Sequence, residues 1–259
     1  MQALRLFPAL LIATTLTIAA AETDPAQRLS ERVMTYYQHP APEKFVDMVK
    51  TLVLLEKMRG SWPDQNVMFL GKIMAQNPAK IAGWMDELSF LEDLMPKDAA
   101  VLQRAAWYSG TAEAKAWLTA HGHADLARQG PPPLLGNAPM TFESYHLDML
   151  WEWFFATGED APVHRIIAFF RLAPSAPLPD SLELPQPPAA TADQAASDIA
   201  MANFRIAYAA VWSTASNAAT HPRVFGLLQK TSADPSLDPM QKAWVLQALK
   251  IATDWRRKP

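Results

Sequence analysis

Cysteine is absent from this chain of 259 residues. Its absence excludes a disulfide framework, a zinc–thiolate centre and a lipid anchor on a cysteine at a leader's cleavage point. Glycine is scarce, with nine residues, and none of it builds a phosphate-cradling loop. Neither a Gly-x-Ser-x-Gly elbow nor a His-Glu-x-x-His pair occurs. Excess positive charge is missing as well: the formal net charge is −3, which gives no surface for neutralising nucleic-acid phosphates. Past the N-terminus there is no apolar run long enough for a membrane span. The stretch 147–156 carries Asp148 and Glu152 and falls short of the roughly 20 residues a span needs.

What remains is half hydrophobic and 19% charged, with nine Trp and eleven Phe. That composition can bury a core by packing alone. The first segment reads as an address. Arg5 precedes an apolar run over 6–18 broken only by Pro8 and three Thr, and Ala19-Ala20-Ala21 satisfies the small-x-small rule for cleavage. Residues 1–21 are therefore expected to be a cleaved export signal, with the mature chain starting at Glu22 in a periplasmic or secreted location.

Strand alternation is almost absent and helical periodicity dominates, so the expected class is all-α. In 43–59, Phe45, Val46, Val49, Leu52 and Val53 share one stripe, while Glu43, Asp47, Lys50 and Lys57 share the other. Start signals recur. Asn77-Pro78 and Asp238-Pro239 place a capping side chain before proline, Asp238 with Gln241 and Thr191 with Gln194 fit a reciprocal capping box, and Thr111 is a further cap. Arg256, Arg257 and Lys258 put cations at the end of the last helix. The spacing predicts helices over 26–38, 43–59, 65–76, 79–94, 97–109, 112–121, 141–157, 162–172, 193–217, 221–231 and 239–255. Two proline-rich intervals punctuate them. The organisation expected is an N-terminal helical region 22–122, a linker 123–139, and a C-terminal helical region 140–259 containing a proline-rich loop 174–190.

A pattern of aromatic-rich helix, polar turn and capped helix recurs around 69–88, 105–118, 150–170 and 211–228. These units resemble tetratricopeptide-type repeats and related α-solenoids. Leu70-Gly71, Gly83 and Pro96 stand near that family's Leu-Gly, small-residue and closing-proline positions, whereas Met74 stands where an aromatic belongs. Turn spacing is irregular, and the later units lack the small residue. The resemblance implies an array of helical hairpins; an irregular compact helical domain is the other arrangement left open.

The residues with chemical potential lie mainly in 141–158. Ser144, Asp148 and Glu152 form a narrow polar strip on a helix that is otherwise apolar, with Glu143 and His146 beside it. Glu143-x-x-His146 is half of a di-iron constellation; no second copy exists, so a solvated strip with a half-buried His146 is the reading. Glu143-Ser144 resembles the Glu-Ser of lytic transglycosylases, in which the acid protonates a glycosidic oxygen, but that family's downstream Tyr-Asn segment is missing: Ala207-Tyr208-Ala209-Ala210 lacks the Asn. His121-Gly122-His123 has no thiolate near it and reads as an exposed pair, while His164 and His221 read as echoes of the repeat. Scattered methionines read as core packing.

Three functions are weighed. The first is a non-catalytic envelope module that binds a protein or peptide, with Trp84, Trp107, Trp151, Trp153 and Trp212 as aromatic anchors. No cofactor, metal, nucleic acid or membrane span enters it. The second is a glycan or cell-wall hydrolase with Glu143 as acid and Asp148 as second carboxylate. The third is a small-molecule or lipid-binding helical protein, which requires a cavity beneath 141–157.

Overall fold

The structure is a computed structural model, and it describes residues 24–58, 65–131, 144–173 and 194–257. The leader 1–21, Trp62, the proline-rich stretches 132–139 and 174–190, Glu143 and the Thr191 cap lie outside the described residues. Those residues form thirteen α-helices and four short 3-10 turns, with no strand among them. The helices are α1 (Pro25–Met34), α2 (Phe45–Leu54), α3 (Gln65–Gln76), α4 (Ile81–Glu87), α5 (Phe90–Leu94), α6 (Pro96–Ser109), α7 (Ala112–Ala120), α8 (Ala124–Arg128), α9 (Ser144–Thr157), α10 (Asp160–Ala168), α11 (Gln194–Thr220), α12 (Pro222–Ser232) and α13 (Pro239–Arg257). The fold is all-α. Among the described residues no helix is long and apolar enough to cross a membrane.

The periodic stretches become helices close to their expected limits, and the differences have local causes. The helix expected over 43–59 stops at Leu54, because Glu56 adopts a left-handed φ of 55°. The Lys57 and Met58 N–H groups then both turn back to the Leu52 carbonyl, at 2.7 and 3.1 Å. This paperclip closure usually recruits glycine. The single helix expected over 79–94 divides into a 3-10 turn, α4 and α5. At the break the Ser89 hydroxyl donates to the Asp86 carbonyl at 2.8 Å, a side-chain competitor for the helical backbone. The expected linker begins instead with α8, and the Trp107 indole N–H donates to the Gln129 carbonyl just beyond it.

The caps divide similarly. Thr111 accepts from the Ala114 N–H at 3.1 Å, and Asp238 accepts from the Met240 and Gln241 N–H groups at 2.9 and 3.0 Å. Gln241 does not reciprocate; its amide donates to the Ile167 carbonyl at 3.1 Å and ties α13 to α10. Asn77 also caps backwards, donating to the Ile73 carbonyl at the end of α3. Arg256 serves the end of α11, where its Nε–H meets the Ala218 and Ala219 carbonyls at 3.0 and 3.1 Å.

Two apolar cores result. The first gathers α1 to α8 and Ala156 of α9 around Phe45, Phe69, Leu70, Ile73 and Leu102, and the second gathers the rest of α9 and α10 to α13 around Leu150, Phe154, Ile166, Val211 and Val245. They meet at α3, whose Met68 belongs to the second core while its neighbours Phe69 and Leu70 belong to the first. α3 packs mainly on α6 and α9 rather than on α4, its neighbour in sequence. Gly71 makes the α3–α6 approach possible: a Cβ there would lie 2.7 Å from the Ala105 carbonyl oxygen.

Candidate ligand groove beside α9

α9 carries the polar strip anticipated from the sequence, but its two acids meet opposite fates. Asp148 is exposed, whereas Glu152, one turn later, is only 7% exposed. The cause is the crossing of α9 with α3 and α1: a helix flanked by Trp151, Trp153 and Phe154 is covered on most sides, and the acid is covered with it. The expectation of a solvated strip is corrected at this residue.

The partners of Glu152 are few. Its Oε2 accepts one long hydrogen bond, 3.4 Å from the Phe69 N–H, although an ionised carboxylate has about four acceptor sites. Among the described residues no Lys, Arg or His forms an ion pair with it. Burial pushes its carboxyl well above the usual carboxylate range; the Phe69 N–H counters this in part, and the charge of Asp148 adds to the rise. An acid in this position retains its proton at a pH where a free Glu has lost it.

Glu152 lines a groove of about 660 Å³, open to solvent on one side. α1 contributes Leu29, Val33 and Met34, α2 contributes Leu52, and α9 adds Phe155. These are the apolar walls. Glu56 and Lys57, past the end of α2, supply charges. Asn66, at the start of α3, frames the end of the groove by donating to the Lys57 and Met58 carbonyls at 2.8 and 3.1 Å. Two features mark the place as built. Glu56 is the described non-glycine residue held at positive φ, a conformation that costs about 1–2 kcal/mol. The volume also falls within the range of about 300–1,000 Å³ typical of small-molecule sites.

The tryptophans expected to anchor a partner are used within the fold. Trp84 and Trp107 belong with the first core and Trp151 and Trp153 with the second, while Trp212 packs against the rings of Tyr208 and Trp255. Trp84 stacks on Phe45 with ring centres 4.2 Å apart, and Trp212 lies against Trp255 at 5.1 Å. Trp153 donates to Glu159 at 3.1 Å, and its ring face carries the Lys72 ammonium at 3.3 Å. Burial lowers the pKa of that Lys72, with Glu159 opposing the change. Trp151 and Trp84 are buried, and the other three are half-buried.

Of the proposed acid pair, Glu143 lies outside the described residues, and Asp148 does not line the groove. His121 and His123 approach Asp86 and Glu92, each at 3.8 Å, in separate pairs. Among the described residues no group of three or more His, Asp or Glu is placed to hold a metal ion. His146 is buried rather than half-buried and stacks on Tyr145. His164 and His221 are unlike: the first is exposed, the second almost wholly buried.

Sequence reasoning passed over Glu152 as a member of a wet strip. The signal that could have found it was the aromatic crowding on both sides of it, since a helix that apolar has little solvent to offer an acid. Comparison with protein-family models, with curated proteins and with solved structures finds no match.

Proposed function

We propose that this chain is a non-catalytic binding protein of the cell envelope, and that the groove between α1, α2 and α9 is where it takes its ligand. This develops the small-molecule reading of the sequence. The observation that carries it is the coincidence of three things in one place: a groove of about 660 Å³, apolar side chains on its walls, and an acid buried to 7% exposure with no cation paired to it among the described residues. A chain gains no stability from keeping an unpaired carboxyl under cover, so its position beside an open groove supports recognition.

A protein- or peptide-binding role with Trp84, Trp107, Trp151, Trp153 and Trp212 as anchors draws less support, because Trp84 and Trp151 are buried and the other three are half-covered by neighbouring side chains. Hydrolysis draws less again, because Asp148 does not line the groove. The envelope location rests on Arg5, the apolar run 6–18 and Ala19-Ala20-Ala21.

The test is a titration of the purified chain with Nile red, a neutral apolar probe. Saturable binding at one site, lost when Ala26, which lines the groove from α1, is enlarged to Trp, is the expected result. Absence of saturable binding, or binding indifferent to Ala26→Trp in a variant with unchanged circular dichroism, contradicts the assignment.

A further inference from the structure

The lining of the groove also bears on which class of molecule enters it. A carboxyl group sits inside with a single long hydrogen bond, and its Oε1 has no hydrogen bond among the described residues. Lys57 lines the same groove without forming an ion pair with it. The other acids near it, Asp148 on its own helix and Glu56 past the end of α2, add negative charge. The cation that would balance Glu152 is therefore not supplied by the described part of the protein. The groove that Glu152 lines also takes hydrocarbon from Leu29, Val33, Leu52 and Phe155.

We propose that the groove binds a small aliphatic amine in its protonated form, with the ammonium against Glu152 and the hydrocarbon chain along Leu29, Leu52 and Phe155. This inference rests on the reading of the groove as the ligand site. An ammonium brings three donors to a carboxylate that has acceptor sites to spare. Ion pairing then offsets the cost of keeping the charge under cover, and the alkyl chain gains from contact with the apolar walls. An anionic ligand would meet Glu152 and Glu56 on the groove walls, with the charge of Asp148 adding to that of Glu152. A neutral alcohol would accept a hydrogen bond from protonated Glu152 and gain no ion pair.

Isothermal titration of the full chain at pH 7.5 with hexylamine, hexanol and hexanoate separates these classes. The proposal expects hexylamine to bind at least about tenfold more tightly than hexanol, the size of one charge-assisted hydrogen bond, with hexanoate weakest. It also expects Glu152→Gln to bring hexylamine down to the level of hexanol, while the circular dichroism of that variant stays unchanged. Equal binding of hexylamine and hexanol overturns the proposal, as does an amine preference that survives in Glu152→Gln; Nile red binding would persist in either case and leave the groove as the site. Failure of Nile red and all three hexyl probes to bind removes the groove reading itself.

Discussion

The Tyr37 hydroxyl lies 3.3 Å from Nδ1 of His221, joining the turn after α1 to the residue that opens α12, 184 positions later. His221 is 2% exposed and is surrounded by the rings of Tyr37, Phe154 and Phe155, with centres 5.4 to 6.0 Å away. Burial lowers its pKa below the usual 6.5. The unfolded chain therefore binds more protons than the folded one as pH falls below about 6.5, and stability drops with it. Thermal unfolding between pH 7.5 and pH 5 should show a falling Tm in the wild type and a smaller fall in His221→Gln. Parallel curves would contradict this account of His221.

Glu152 has the opposite sign. Its folded pKa is raised by burial, so the folded state binds more protons above about pH 4.5 and loses stability as pH rises toward the folded value. Glutamine resembles the protonated acid. Glu152→Gln should raise Tm at pH 8, with the gain shrinking toward zero near pH 4. A variant less stable than wild type at pH 8 would mean that the carboxylate is paired in a way the structure does not contain.

Gly158 and Gly83 should respond to alanine in opposite directions. Gly158, just past α9, has φ +69°, and a Cβ there would lie 2.8 Å from Cδ2 of Tyr37. Strained backbone and overpacking together should cost about 2–4 kcal/mol. Gly83 lies on the exposed side of α4 with nothing within 4 Å of an added Cβ, so Gly83→Ala should stabilise by about 0.5–1 kcal/mol. Urea denaturation of the two variants checks both.

Glu56 closes α2 in a conformation suited to glycine. Glu56→Gly should stabilise the chain by up to about 1 kcal/mol in urea denaturation, because relief of the left-handed backbone outweighs glycine's greater freedom when unfolded. A loss of stability would show that the Glu56 side chain holds the end of the groove together.

These residues also mark how far the sequence could be read. Local signals carried well: α3, α6 and α12 start and stop within a residue of their periodic stretches, and Thr111 and Asp238 cap as their positions require. Signals that depend on a partner far along the chain did not. Gln241 gives its hydrogen bond to the Ile167 carbonyl of α10, 74 positions away. Glu56 ends a helix without the glycine that announces such an end. Gly71 serves the crossing of α3 with α6, a contact its own helix does not announce. The candidate site was half legible. The helix that builds it stood out by its apolar surface, while the choice of Glu152 over Asp148 was made by α1 and α3, which no spacing within α9 could reveal.

The measurement that tests the central claim most directly is a residue-resolved amide NMR titration with hexylamine. The account expects the largest shift changes at Leu29, Val33, Leu52, Asn66, Phe69 and Glu152, around the groove, with α12 and α13 unmoved. Saturable changes centred elsewhere, for example at exposed Phe90 and Leu94 of α5, would contradict it.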